Sequence, residues 1–261
     1  MHIGFITDLS EKDFAFAAEN GGLSLEINCS GKPFDYVKNQ ESIKKLAEKH
    51  GVKICSVGLW GKNHISTDDG ERKQCAQELQ ELMDYAHFFG ARIFMTGGGH
   101  VPDWSVARQT RELLELLPDW VGAAKQRDLQ LCLYNCHWTN FCIGPDAWKP
   151  IFEAFPNGEV GIKFDPSHPY HDGFDYHAQI CEWGDRIKHF HAKDVHLVNG
   201  KNFDEPPAGL GDICWNRLIS ALYHHKYEGE LVIEPHSRTW SGERSYDCIK
   251  LAARHLAQFI A

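Results

Sequence analysis

Four short segments carry side chains able to bind a metal ion or move a proton, and each closes an apolar, strand-like run: Tyr134-Asn135-Cys136-His137, Asp165-Pro166-Ser167-His168, His191-Ala192-Lys193-Asp194 and Glu234-Pro235-His236. Carboxylates and imidazoles are hard-to-borderline donors for a divalent cation, and the same groups take and return protons at ordinary pH. The segments are far apart in the chain, so they form one site only if the fold gathers the ends of successive strands. A barrel of parallel strands does this, because the loops that follow its strands converge at one mouth.

The hydrophobic pattern supplies such a fold. Short β-rich runs at 2–6, 23–27, 52–57, 92–96, 129–134, 160–165, 187–191 and 230–234 alternate with helical spacing at 11–20, 37–49, 67–89, 105–127, 145–155, 176–183, 212–224 and 242–259. Eight of each predicts the α/β class and a single closed (β/α)8 TIM barrel. No linker or shift in composition divides residues 1–261 into a second domain. Gly51 and Gly90 stand where two helices must stop, because a left-handed backbone costs glycine little. The long connections 60–66 and 196–211 both follow strands, where such barrels build their active sites. The second mixes Gly200, Pro206, Pro207, Gly209 and Gly211, which suits a substrate lid or a plain surface loop.

Side chains alternate along a strand, so face can be read from parity. If Leu131 and Leu133 pack on the helices, Cys132 and Tyr134 point inward; by the same rule Lys163 with Asp165, His189 with His191, and Val232 with Glu234 share the inner face. Asp165, His191 and Glu234 then emerge together, two carboxylates and an imidazole with positions left for water or sugar oxygens. That set suits Mn, Mg, Co or Zn as the divalent cation. An isolated Asp, His or Glu at a strand end is more often a cap or a solvated group; three at matched positions argue for function.

Asp-Pro-Ser-His at 165–168, His-Ala-Lys-Asp at 191–194, Ile233-Glu234 and the Pro-Ala-Gly-Leu-Gly-Asp-Ile-Cys-Trp run at 207–215 give the whole chain a resemblance to the xylose-isomerase-like TIM-barrel family of sugar isomerases and epimerases. That family includes ketose 3-epimerases, hydroxypyruvate isomerase, inosose dehydratase and the endonuclease IV group. The resemblance implies a divalent metal held by a Glu, an Asp, a His and a second Glu, the last three falling on Asp165, His191 and Glu234. It also implies a substrate contact at His168. The first glutamate has no counterpart: this chain reads Tyr134 there. In the epimerases that carboxylate doubles as one of two acid/base groups.

The resemblance implies a metal-dependent sugar isomerase or epimerase that abstracts a proton next to a carbonyl through an enediolate. Glu234 is the expected base, with His168 and Lys193 as further catalytic groups. Lys193 would stabilise the enediolate, or else simply pair with Asp165 or Glu234. Expected substrate contacts are Tyr134, Asn135, His137, Trp60, His64, His100 and Glu26. Loop packing is the structural alternative for Trp60 and His64 and plain solvation for Glu26, while Gly97-Gly98-Gly99 would leave room for a ligand that His100 lines. Trp104, Trp138 and Trp240 are candidate pocket walls, His189 an inner-layer support, and Lys163 a deeper charge balancing Asp165. Two other readings stand beside this one. The first is a metal-dependent lyase or dehydratase acting on an oxo-sugar, oxo-inositol or 3-oxo-glycoside; the second is a sugar-binding protein that lost catalysis with the glutamate.

Composition narrows the partners. A formal net charge of -9 repels a phosphate backbone, so nucleic acid is not expected. No run approaches a membrane span and no signal core precedes the first strand, which reads as a cytoplasmic protein. Nine cysteines without metal-site CxxC spacing, among them Cys55, Cys132 and Cys181 inside apolar runs, read as reduced core residues. No Arg-rich or Ser/Gly clamp for phosphate stands out, so the expected partner is a small non-phosphorylated carbohydrate, with self-association into a homo-oligomer left open.

Overall fold

A computed structural model describes residues 1–31 and 33–261. The apolar runs become strands β1 (His2–Thr7), β2 (Ser24–Cys29), β3 (Ile54–Leu59), β4 (Ile93–Thr96), β5 (Gln130–Tyr134), β6 (Val160–Phe164) and β7 (Ile187–Ala192). A hairpin of β8 (His196–Val198) and β9 (Lys201–Asp204) follows, and then β10 (Glu230–Ile233). All except the hairpin close into one parallel barrel in the order β1-β10-β7-β6-β5-β4-β3-β2, which leaves no barrel strand with an open edge. The helices around it are α1 (Glu11–Glu19), α2 (Pro33–Val37), α3 (Gln40–His50), α4 (Asp69–Phe88), α5 (Val106–Gln126), α6 (Pro145–Ala154), α7 (Ser167–His171), α8 (Tyr176–Trp183), α9 (Trp215–His224) and α10 (Ser245–Ala257). This is the predicted (β/α)8 TIM barrel. No helix among the described residues is long and apolar enough to cross a membrane.

Local chemistry sets the boundaries. Ser10, Asp68 and Ser105 cap α1, α4 and α5 by accepting from a backbone N–H three residues on. Gly51 and Gly90 end their helices at φ 65° and 68°. Leu131, Leu133, Phe164, Phe190 and Ile233 fill the layer between strands and helices, while Cys132, Tyr134, Met95 and Trp60 cluster separately inside the barrel. Parity therefore divides the two layers as expected.

The structure departs from the sequence reading at several points. The segment 196–211 is not an irregular connection, because it contains the β8–β9 hairpin. The helix expected at 37–49 is α3, which starts only at Gln40 and is preceded by a separate short α2, and a short α7 begins within the Asp-Pro-Ser-His motif. Cys181 and Cys214 are exposed, while the other seven cysteines are buried. The helix expected from 212 starts only at Trp215, because the preceding backbone is tied to Asp194. That fully buried carboxylate accepts from Val195 N (2.9 Å), Ile213 N (3.0 Å), Gly209 N (2.9 Å) and Trp215 Nε1 (2.8 Å). A Cβ at Gly211 would overlap it. The 207–215 motif is thus the strap that fastens the end of β7 to α9.

Two stability measurements follow from these contacts. Asp194→Ala orphans three buried donors and the part-buried Gly209 N–H at once and is expected to cost about 3–5 kcal/mol in urea unfolding; a loss under about 1 kcal/mol contradicts the strap. His64 is buried against Thr96 and Trp120, and burial, reinforced by Lys62, pulls its imidazole from the ordinary 6.5 down to about 3. Below pH 6.5 the unfolded chain therefore binds a proton the native state lacks, and stability falls as the pH drops towards 3. The stability lost between pH 7 and pH 5 should be about 2 kcal/mol smaller in His64→Gln than in the wild type. Equal losses in the two proteins contradict the assignment.

Candidate active site

Asp165, His191 and Glu234 leave the ends of β6, β7 and β10 with ligand atoms all within 4.8 Å of one another. Asp165 is fixed from both directions. Asn135 accepts from its backbone N–H at 2.9 Å and donates to its carbonyl at 3.0 Å, and Oδ1 receives Ser167 N (2.9 Å) and Ser167 Oγ (2.6 Å). The other oxygen, Oδ2, is buried without a hydrogen-bond partner, and three cation-forming groups surround it: Lys193 Nζ at 3.3 Å, His168 Nε2 at 3.5 Å and Lys163 Nζ at 3.7 Å.

His191 lies between two carboxylates, its Nε2 2.7 Å from Glu26 Oε1 and its Nδ1 3.1 Å from Glu234 Oε2. Below it, Glu26 Oε2 also bonds His189 Nε2 and accepts from Ser56 Oγ at 2.7 Å. Burial alone would raise the Glu26 carboxyl, but His191 and His189 outweigh it and hold it well below the usual range. Against the same burial, Glu26 raises His191. Lys193 and His191 likewise outweigh the burial of Glu234 and keep it ionised. Lys193 is itself raised, because Asp165 and Glu234 overcome its desolvation. His168 goes the other way: burial, then the neighbouring Lys193, pull it down to about 3, so at neutral pH its ring is uncharged.

These residues fit a divalent cation. With Nε2–H donating to Glu26, His191 turns its Nδ1 lone pair towards Asp165 Oδ2 and Glu234 Oε2, giving three donors and open positions. The unpartnered Oδ2 is the atom such an ion would satisfy. Glu26, His189 and His191 also stand close enough to be a ligand group, but Glu26 and His189 already bond each other and both are fully sealed from solvent.

A pocket of ≈ 530 Å³ opens over this centre, and Glu234, Lys193, His168, Trp60 and His137 line it. Other expected substrate contacts do not reach it. Tyr134 is fully buried: its ring stacks on Trp60 at 4.3 Å, and its hydroxyl donates to Trp138 O (3.0 Å) and accepts from Gly61 N (3.3 Å). Gly97 makes this placement available, since a Cβ there would come within 2.5 Å of the hydroxyl. Tyr134 is thus a prop under two loops, and Asn135 a clamp on Asp165. His64 faces α5 instead of the pocket, Glu26 lies beneath His191, and the His100 ring is exposed away from the pocket while its backbone is held by Asn63.

The pocket also takes residues not expected as substrate contacts. Lys163 reaches it from the inner face of β6, and Glu205 comes from beyond the hairpin, paired with His236 of the last strand's loop. His171 comes from α7, and of the three candidate tryptophans Trp138 lines the pocket. Parity had placed Lys163 on the right face; the Glu205–His236 pair joins two loops and leaves no periodic signal.

An inosose dehydratase from Clostridium perfringens is 22% identical over 228 residues, spanning 76% of this chain and 74% of that protein. Among solved structures, a D-allulose 3-epimerase from Methylomonas sp. superposes with a TM-score of 0.82 at 16% identity over 100% of this chain and 98% of that one. A 3-keto-D-glucoside 4-epimerase from E. coli does so with a TM-score of 0.79 at 15% identity over 99% of both. At these identities the superpositions establish a shared barrel. The family profile reaches further, matching residues 14–258, and on that match the chain belongs to the xylose isomerase-like TIM barrel family.

Proposed function

We propose that residues 1–261 form a single-domain cytoplasmic enzyme that isomerises or epimerises a small, non-phosphorylated sugar by removing a proton next to its carbonyl. The observation that carries this reading is the position of Glu234, an ionised carboxylate that lines the pocket beside Asp165, His191 and Lys193. Nine free cysteines, seven of them buried, suit a reducing compartment.

A divalent cation on Asp165, His191 and Glu234 would polarise a carbonyl and its neighbouring hydroxyl. The remaining tasks belong to the chain. Glu26 fixes the orientation of His191 from below, and Ser167 with Asn135 fixes Asp165. Trp60, held by its Nε1–H donating to Asn28 Oδ1 at 2.8 Å, gives the sugar an apolar face. Glu234 takes the C–H proton, and the electron pair left behind moves into an enediolate. Lys193, 3.6 Å from Glu234, places a fixed positive charge against that anion. His168 is a neutral ring whose Nε2 accepts from Lys193 Nζ at 3.4 Å, which holds that ammonium in place while Glu234 returns the proton to carbon.

One observation favours a second reading. Tyr134 is sealed beneath Trp60 where the epimerases carry a carboxylate, so the strand beside Asp165 offers the substrate no acid/base group. Chemistry from one side of the carbon suits a lyase that expels a β-hydroxyl after the same first step.

Incubation with ketohexoses in D₂O separates these outcomes. Deuterium at the carbon next to the carbonyl, with the substituents retained, is expected for the isomerase or epimerase, and loss of water for the lyase. Glu234→Gln should lower either rate about 10²- to 10⁴-fold. Undiminished exchange in Glu234→Gln contradicts its role as the base.

A further inference from the structure

Lys163 is the feature of the pocket that none of this uses. It projects inward from β6, in register between Tyr134 of β5 and His189 of β7, and the residue is 1% exposed. Its Nζ lies 5.1 Å above the Trp60 ring, and the nearest carboxylate oxygen is Asp165 Oδ2 at 3.7 Å, beyond hydrogen-bond reach. Among the described residues no side chain or backbone group accepts a hydrogen bond from it, although it lines the pocket. Lys193, by comparison, shares a bond with His168 and lies against two carboxylates.

An ammonium almost removed from bulk water, with no protein acceptor for its three donors, depends on what the pocket holds, and a ligand that brings an acceptor there is favoured. The Trp60–Tyr134 stack closes one side of Lys163 and Asp165 closes another, so its free donors face the cavity above the centre. The neighbouring position on β5, where a carboxylate would have neutralised it, is a tyrosine whose hydroxyl is committed to two loops.

We propose that Lys163 is a catalytic residue, whose ammonium donates to the substrate oxygen that becomes the enediolate oxyanion. This rests on the proton-transfer reading above. As Glu234 takes the C–H proton, the C–H pair forms the C=C bond and the carbonyl π pair moves onto oxygen, where Lys163 meets the new charge. When carbon is reprotonated the pair returns and the hydrogen bond weakens. Lys193 and Lys163 both lie within 3.7 Å of Asp165 Oδ2, so the position on β5 that carries no carboxylate is matched by a cation on β6.

Oxalate presents two coplanar oxygens as an enediolate does, and its binding to the purified protein can be measured by calorimetry without knowing the sugar. Lys163→Met should bind oxalate about tenfold or more weakly, and Lys163→Arg should recover part of the loss. A crystal of the wild-type protein with oxalate, which needs no variant to fold, should place an oxygen about 3 Å from Lys163 Nζ. Equal affinity in Lys163→Met, an oxalate oriented away from Lys163, or no binding to the wild type overturns the proposal. Deuterium exchange into ketohexoses by the same wild-type protein reports separately on the proton-transfer reading. Exchange that persists while the oxalate result fails removes Lys163 alone, whereas oxalate held by Lys163 with no exchange removes the sugar chemistry and leaves an oxyanion site.

Discussion

Three carboxylates packed at the mouth of one barrel can remain ionised only if positive charge is packed among them. Glu26 and Asp165 are fully buried and the Glu234 side chain is 21% exposed; His191, Lys163 and Lys193 are interleaved with them at 2.7–3.7 Å. Removing any one group would strand a charge of the opposite sign in a medium that solvates it poorly. The arrangement is therefore held more by the cost of breaking it than by any single attraction. It also explains the rigid supports below and beside it: the Glu26–His189–Ser56 layer, the Asn135 clamp and the Asp194 strap each keep a strand end where its charge has a counterpart.

Tyr134 shows how the centre was adjusted without changing the fold. A tyrosine pointing inward from β5 would fill the site if its ring went straight up. Instead it lies under Trp60 and spends its hydroxyl on the loops after β3 and β5, in space that Gly97 leaves open. Tyr134 brings no charge to its end of β5, and Lys163 in register beside it adds a cation to the mouth. On the proposed proton-transfer reading, an anionic intermediate is better matched to that cation than a neutral ground state, the difference that catalysis requires.

The barrel and the convergence of Asp165, His191 and Glu234 were legible because both depend on short-range periodicity. Alternation along β6, β7 and β10 decides which side chains face inward, and eight repeats of strand and helix decide that those faces meet. What escaped the sequence depends on partners far away in the chain. Whether Tyr134 touches substrate is decided by Gly97 and Trp60, and whether His64 does is decided by Trp120 of α5. The hairpin at His196–Asp204 is built from short, mostly exposed and polar strands with no buried face to leave a pattern, so Glu205 and its pairing with His236 could not be read from spacing. The glycine-rich 207–215 run was recognisable as a motif, but its purpose emerged only from the Asp194 carboxylate it encloses.

The most direct measurement is a crystal of this protein soaked in Mn²⁺ and recorded at an anomalous wavelength. The account predicts one peak at the barrel mouth about 2.0–2.3 Å from a carboxylate oxygen of Asp165, Nδ1 of His191 and a carboxylate oxygen of Glu234, with Glu26 still bonded to Nε2. A peak elsewhere, or none at that point with the three side chains splayed beyond a common coordination sphere, contradicts it.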